Sequence, residues 1–185
     1  MTVLTDAVFE TCVQLVRKCQ QGDKQSFRLL YERYHQRVRN TLYRLCGSEH
    51  LDDLQQEVFL RVWRFIHQLR NPQYFSTWLY RICWNVACDQ NARLQKKQCH
   101  QVENRKEVEL DNPFLLQLHY EGLVARGLQQ LSLEHRAVIV LHDLEDLPQK
   151  EIAQILSIPV GTVKSRLFKA RKKLREFLEK EGITL

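Results

Sequence analysis

The sequence predicts an all-α protein of two small helical domains, an N-terminal helical bundle and a C-terminal helix-turn-helix domain, joined by a flexible linker. Three observations predict it. Six glycines and four prolines amount to about 5% of 185 residues, against roughly 12% in ordinary proteins, so the breaks that barrels, sandwiches and glycine-rich cofactor folds need are scarce. Apolar residues recur at three- and four-residue intervals over most of the chain. One polar stretch, KKQCHQVENRKEVELDN from Lys96 to Asn112, lacks that periodicity, and Pro113 follows it; its composition is that of a linker. The expected division is 1–96, a linker at 97–115, and 116–185.

The elements follow in order. A first helical pattern places Phe9, Cys12, Val13, Val16 and Cys19 on one face, and Gln21-Gly22-Asp23 breaks it. Asp23 or Ser26 is expected to cap a second helix with Phe27, Leu30, Tyr31, Tyr34, Val38, Leu42 and Leu45 inward, closed at Gly47. Ser48 opens a third helix, with Leu51, Leu54, Val58, Val62, Phe65 and Leu69 buried, and Asn71-Pro72 ends it. A fourth runs from about Ser76 to Lys96, with Leu79, Ile82 and Val86 inward and Phe75 at its mouth. Beyond the linker, Leu123, Leu128 and Leu131 mark one helix, and Val138, Leu141 and Leu144 the next. After a break at Leu147-Pro148, Ile152, Ala153 and Leu156 mark a short helix, and Val163, Leu167, Ala170 and Leu174 a long last one.

Charge narrows the function. Lys plus Arg number 28 and Asp plus Glu 22, a net charge of +6, which favours a polyanion only where the positive charge is clustered. It is clustered between Val160 and Arg175, where seven basic residues stand with no acidic one. Before them come a short helix (QKEIAQIL) and a tight turn, Ser157-Ile158-Pro159, with Ile158 expected to point into the core. At about 100° per residue, the face opposite the apolar seam carries Lys164, Ser165, Phe168, Lys169, Arg171 and Lys172. A helix-turn-helix needs this arrangement: the first turns of its second helix read base edges, and basic groups further along neutralise phosphates. A merely solvated basic helix is the alternative reading.

The fourth helix, FSTWLYRICWNVACDQNARLQKK, carries Thr77, Tyr80, Arg81, Trp84 and Asn91 on its expected outer face, with Trp78 and Asn85 beside the core stripe. Aromatic, amide and cationic side chains together suit unpaired nucleic acid, which needs stacking, edge contacts and charge neutralisation. Trp84 is expected opposite the core, covered in a complex or packed against another domain. Early in the third helix, Glu49, Asp52, Asp53 and Glu57 stand with Gln55 and Gln56, beside Phe59 and Trp63 taken as exposed. The helix dipole accounts for part of that acidity; a protein-docking face accounts for the rest.

Other classes fit less well. The six cysteines form no CxxC pair, and reduced thiols are expected. Cys83 and Cys88 diverge on a helix, which disfavours a metal site with Cys99 and His100, although a sensing thiol stays open. The sequence holds no glycine-rich phosphate loop, HExxH or nucleophile elbow, so no cofactor and no enzyme activity are expected. The N-terminal residues do not read as a signal peptide, and no apolar run is long enough to span a bilayer; a cytoplasmic protein is expected. A stand-alone helix-turn-helix regulator would explain the C-terminal half alone, and a structural RNA-binding module would bind RNA unaided.

Three segments, LDDLQQEVFLRVWRFI, FSTWLYRICWNVACDQNAR and LSLEHRAVIVLHDLEDLPQKEIAQILSIPVGTVKSRLFKARKKLREFL, resemble the bacterial sigma-70 family, and the two-domain organisation is similar to its extracytoplasmic-function class. The resemblance implies that Asp53, Gln56 and Glu57, with Phe59, dock on core RNA polymerase. It implies that the loop from His67 through Asn71 to Gln73 pockets a flipped base of the −10 element. Tyr80, Arg81, Trp84, Asn85, Arg93, Lys96 and Lys97 match the −10-binding helix, although Trp84 stands where the family more often has a basic residue. Lys164, Ser165, Arg166, Phe168, Lys169, Arg171 and Lys172 match the helix that reads the −35 element. An anti-sigma protein is the further partner the resemblance implies, and Tyr31-Glu32-Arg33-Tyr34 is compatible with the family's first conserved helix.

Overall fold

The computed structural model describes residues 11–97 and 122–183, with the side chains of Lys96 and Lys97 excepted. Phe9, Cys99, His100 and the linker expected at 97–115, apart from Lys97, lie outside the described residues. Among the described residues there are helices and no strand: α1 (Cys12–Gln20), α2 (Lys24–Cys46), α3 (Leu51–Phe65), 3-10 turns at Ile66–Gln68 and Pro72–Tyr74, and α4 (Phe75–Lys97). Then come α5 (122–129), α6 (Leu133–Ile139) with a π-helical turn at Val140–Leu144, α7 (Gln149–Leu156) and α8 (Val160–Lys180). They group into two compact units, which divide at Tyr43/Arg44 and again at Ala87/Cys88, with 44–47 grouped with the C-terminal residues.

Local chemistry sets the helix starts. Thr11 and Gln14 form a reciprocal capping box on α1, the Thr11 amide donating to Gln14 Oε1 at 2.9 Å. Asp23, rather than Ser26, caps α2: its carboxylate accepts from the amides of Gln25 and Ser26, each at 3.1 Å. Those bonds, the Ser26 hydroxyl first, hold its pKa below the usual carboxylate range. Ser48 does not cap α3. The chain turns through left-handed Gly47 and His50 (φ 85° and 57°), and the helix begins at Leu51. α3 also stops at Phe65, before Asn71-Pro72, and the two 3-10 turns fill the interval to α4.

The N-terminal core joins Leu15, Val16, Leu30, Val38, Leu42, Leu54, Val58, Val62, Ile66, Phe75 and Leu79. It corrects the expected helix phases in five places. Tyr31 lies at the rim, 41% exposed, and covers Phe59, whose ring meets it edge-on at 4.7 Å. Phe59 is therefore buried, 6% exposed, not part of an exposed face. Tyr80, expected outward, is 4% exposed, because α4 buries Cys83, Ala87 and Gln90 as well as Leu79, Ile82 and Val86. That buried arc spans roughly 160°. Trp84, next to its edge, is half-buried instead of opposite the core, and Trp78 and Trp63 are half-buried too.

In the C-terminal unit, α6 packs on α8 and α7 on α8, around Leu128, Ala137, Val138, Ile152, Ile155, Val163, Leu167 and Ala170. Leu144, expected inward, is 36% exposed. The π turn carries an extra residue per turn and rotates it out of the Val138–Leu141 face. Gly127 of α5 lies so close to α8 that a Cβ there would come within 2.6 Å of Leu174 Cδ1 and 2.8 Å of Phe177 Cδ1.

Candidate functional site

Between α7 and α8 the chain reverses at Ser157, whose φ is 55°, and the Ile158 amide closes the turn on the Ala153 carbonyl at 3.0 Å. Pro159 then precedes the first turn of α8, with its φ of −61° preset. Ile158 is half-buried. α8 buries Val163, Leu167, Ala170 and Leu178, with Leu174 half-buried, and leaves Lys164, Ser165, Phe168, Lys169, Arg171 and Lys172 exposed; Arg166 is half-buried. Phe168 is 73% exposed and stands in a groove of about 450 Å³ with Gln149, Lys164, Arg171, Lys172 and Arg175. A large apolar ring surrounded by cations contributes little to folding and is suited to a flat or methyl-bearing surface inside a polyanion. Nearby His135 has its pKa held down by burial first, then by the charges of Lys173 and Arg166, which registers the positive field of this face.

Three of these side chains are engaged within the domain, among them Lys172, whose Nζ lies 3.9 Å from Glu176 Oε1. The Ser165 hydroxyl donates to the Thr162 carbonyl at 3.1 Å. Arg171 forks onto Asp143 of the π turn, its Nε at 3.0 Å from Oδ2 and its Nη2 at 2.5 Å from Oδ1. Burial pushes the Asp143 carboxyl up, but hydrogen bonds from Arg171 and His142 outweigh it and leave the pKa below its usual value. Asp143 in turn raises the Arg171 guanidinium.

In the N-terminal unit, Asp52, Asp53 and Gln56 are exposed on α3, and Glu57 is half-buried, accepting from Arg61 Nε at 2.7 Å. Asp52 is paired with Arg39. Gln55 is buried, its Nε2 donating to the His35 carbonyl at 3.0 Å. Between α2 and α3 runs a groove of about 820 Å³, bordered by Phe27, Tyr31, Gln56, Phe59, Leu60 and Trp63. The acidic edge and this apolar groove adjoin, a pattern that suits a protein surface with matching cations and apolar anchors.

His67 and Asn71 are exposed in the stretch between α3 and α4, and Asn71 Oδ1 accepts from the Gln73 amide at 3.0 Å. On α4, Arg81, Asn85 and Arg93 are exposed, whereas Tyr80 is in the core; Lys96 and Lys97 close the helix. A second groove, of about 860 Å³, lies between α3 and α4 and is lined by Arg61, Trp63, Arg64, Gln68, Trp78 and Asn85 among others. The sequence reading had not placed Arg61, Arg64 and Gln68 beside Asn85. The three-residue spacing of Arg61 and Arg64 on α3, continued by Gln68 in the 3-10 turn, is the available signal. Tyr74, at the mouth of α4, is also exposed.

The described thiols show no sign of activation. Burial first, then the charges of Asp23 and Cys12, pushes Cys19 up to about 12, and burial pushes Cys88 up to about 11, so both stay protonated near neutrality. Among the described residues no group of three or more His, Cys, Asp and Glu could hold a metal ion, and no helix is long and apolar enough to cross a membrane.

Comparison with known proteins gives this geometry a family. The model of Sigma-70 region 2 matches residues 30–97, and that of Sigma-70 region 4 matches 122–174. The ECF RNA polymerase sigma-E factor of Haemophilus influenzae is 33% identical over 177 residues, covering 89% of this chain and 94% of that protein. Its namesake in Escherichia coli K12 is 33% identical over 181 residues, covering 91% and 92%. Among solved structures, CnrH in complex with the cytosolic domain of CnrY shares the fold at a TM-score of 0.70 and 24% identity, covering 92% of this chain and 99% of that one. The sigma factor RpoE in complex with the anti-sigma factor NepR from Bartonella quintana shares it at 0.68 and 21%, covering 84% and 98%. The chain belongs to the sigma-70 family of RNA polymerase sigma factors, in its extracytoplasmic-function class.

Proposed function

We propose that this chain binds core RNA polymerase, directs it to −10 and −35 promoter elements and starts transcription there, as a DNA-binding initiation factor and not an enzyme. The observation that carries the proposal is the order of the two matched regions, 30–97 and 122–174, each with an exposed polar face of the required chemistry. In this reading residues 1–96 hold the polymerase and the −10 element, 97–115 tether the halves, and 116–185 hold the −35 element. Asp53, Gln56 and Glu57 dock on polymerase through the acidic edge of α3. Phe59 acts from beneath, as the floor of the adjoining groove.

The stretch from His67 to Gln73 receives an unpaired −10 base, with Arg81, Asn85, Arg93, Lys96 and Lys97 along the strand. Trp84 contributes its exposed edge, and Tyr80 supports the helix from the core. Lys164, Ser165, Arg166, Phe168, Lys169, Arg171 and Lys172 meet the −35 duplex. Two weak contacts on one tether act as an intramolecular pair, and capture of an unpaired base supplies part of the energy of opening. The named relatives act in transcription, and two of the structural relatives are complexes, which supports an anti-sigma protein as the regulator and a cytoplasmic site of action.

A polymerase-independent regulator gives the groove and acidic edge of α2 and α3 no role. Run-off transcription with purified core polymerase tests the proposal: specific starts on DNA carrying both elements are expected. Sequence-specific operator binding by the free protein at physiological salt, with no transcript on adding polymerase, would overturn it.

A further inference from the structure

α1 lies ahead of the matched regions, which begin at residue 30, and none of its residues has a role so far. It packs on the 3-10 turns Ile66–Gln68 and Pro72–Tyr74, the two ends of the stretch proposed to receive the −10 base. At its last position, the side-chain amide of Gln20 donates to two main-chain carbonyls at once, Ile66 at 3.1 Å and Leu69 at 2.7 Å. Gln20 is half-buried, so water competes poorly for these bonds. Two turns earlier on the same helix, Cys12 Sγ lies 3.2 Å from the Tyr34 hydroxyl, which lies 3.4 Å from Ser76 Oγ in the first turn of α4. The Tyr34 ring meets Phe75 edge-on at 5.2 Å.

These contacts bracket the loop. Gln20 fixes the chain as it leaves α3, and the Cys12–Tyr34–Ser76 chain fixes it as it enters α4. Between them, Leu69 and Phe75 are buried while His67, Gln68, Arg70, Asn71, Gln73 and Tyr74 face solvent. A loop that receives a base has to hold its polar groups to within a fraction of an ångström, and supporting hydrogen bonds are the usual means. We infer that Gln20 is a positioning residue for base recognition: by clamping the Ile66 and Leu69 carbonyls it holds the His67–Gln73 loop in the shape that accepts the unpaired base. The inference rests on the proposed role of that loop.

Replacing Gln20 by Met keeps the length and the packing and removes both donors; replacing it by Lys keeps a donor that can reach both carbonyls. The full-length chain is assembled with core polymerase on a promoter and on variants altered at each −10 position, and open complexes are followed by permanganate reactivity. Gln20→Met is expected to slow opening about tenfold and to flatten discrimination at the single position the loop reads. Affinity for core polymerase and for −35 duplex should stay as in the parent, and Gln20→Lys should restore most of the discrimination.

His67→Ala and Asn71→Ala are measured alongside. If they flatten discrimination and Gln20→Met does not, the positioning role is overturned and the loop assignment stands. If the loop variants leave every −10 position unaffected, the loop assignment fails and the inference fails with it. A Gln20→Met variant with a lowered thermal midpoint but unchanged discrimination reduces Gln20 to a structural contact and also overturns the inference.

Discussion

Helix α8 buries a single seam, Val163, Leu167, Ala170 and Leu178, and leaves Lys164, Phe168 and Lys172 in water. Helix α4 buries Phe75, Leu79, Tyr80, Ile82, Cys83, Val86, Ala87 and Gln90, an arc roughly 160° wide, about twice that of α8, with Arg81 and Asn85 on the opposite side. The two helices have the same proposed task, contact with promoter DNA, and divide their surfaces differently. On α8 the buried seam and the face proposed to meet DNA are separate sets, with Arg171, which pairs with Asp143, the exception. In the N-terminal unit the two sets overlap: Phe59 is core and groove floor at once, and Trp78 and Trp84 are each half in the fold. Substitutions on α8 should therefore change binding at constant stability, whereas those on α3 and α4 should change both.

The largest effect that can break this contrast is at Phe59. Phe59→Ala should cost about 3–5 kcal/mol of stability, as buried phenylalanines do, and should weaken core polymerase binding through the groove it floors. An unchanged denaturation midpoint with weaker polymerase binding would put Phe59 with recognition alone and remove the overlap. On the other side, Lys164→Ala should cost about 1–3 kcal/mol on the cognate −35 element if its amine meets base edges, with the thermal midpoint unmoved. Equal losses on cognate and scrambled duplexes would reassign Lys164 to phosphate contact.

A smaller effect sharpens the comparison from within α8. Asp143 occupies the Arg171 guanidinium, so Asp143→Asn should release it for a phosphate. The slope of log affinity against log salt should then steepen by about 1, which titrations of −35 duplex at several salt concentrations measure. The same pair has a pH signature. Because the Asp143 pKa is lowered by folding, its stabilisation is complete above the unfolded value near 4 and is lost as the pH falls through the lower folded value. Asp143→Asn should remove that acid-side loss. The smallest expected effect is on stability at Phe168: Phe168→Ala should move it by no more than about 0.5 kcal/mol while lowering −35 binding. A larger loss by thermal melting would mean that α8 also shares its residues between the two tasks.

The same contrast governs how much could be read from the residues. The helical fold, the Ser157-Ile158-Pro159 turn, and the exposure of Lys164, Phe168 and Lys172 follow from a one-sided helix, where strongly apolar residues mark the single buried seam. On α4, Leu79, Ile82 and Val86 mark only part of what is buried. Tyr80, Cys83 and Ala87 carry weak polarity signals and widen the arc, so the periodicity alone points Tyr80 and Trp84 outward. Phe59 was misplaced for a related reason, since its cover is Tyr31 from another helix. Leu144 defeated the 3.6-residue period because a π turn carries it, and the Arg171–Asp143 and Gln20–Leu69 contacts join residues far apart in sequence.

Gly127 makes α8 a lever. The helix touches α5 where Leu174 and Phe177 close over the missing side chain, is seated on the core at Ala170, and carries Lys164 on the far arm. At 1.5 Å per residue, the arms from Ala170 to Leu174 and to Lys164 are about 6 Å and 9 Å. A methyl group at position 127 that Leu174 and Phe177 do not swing aside to admit would displace the short arm. A tilt of about 1 Å at Leu174 becomes about 1.5 Å at Lys164, in the opposite direction. Fulcrum and load lie on different residues, so a substitution at position 127 should be felt at Lys164 through the body of the helix.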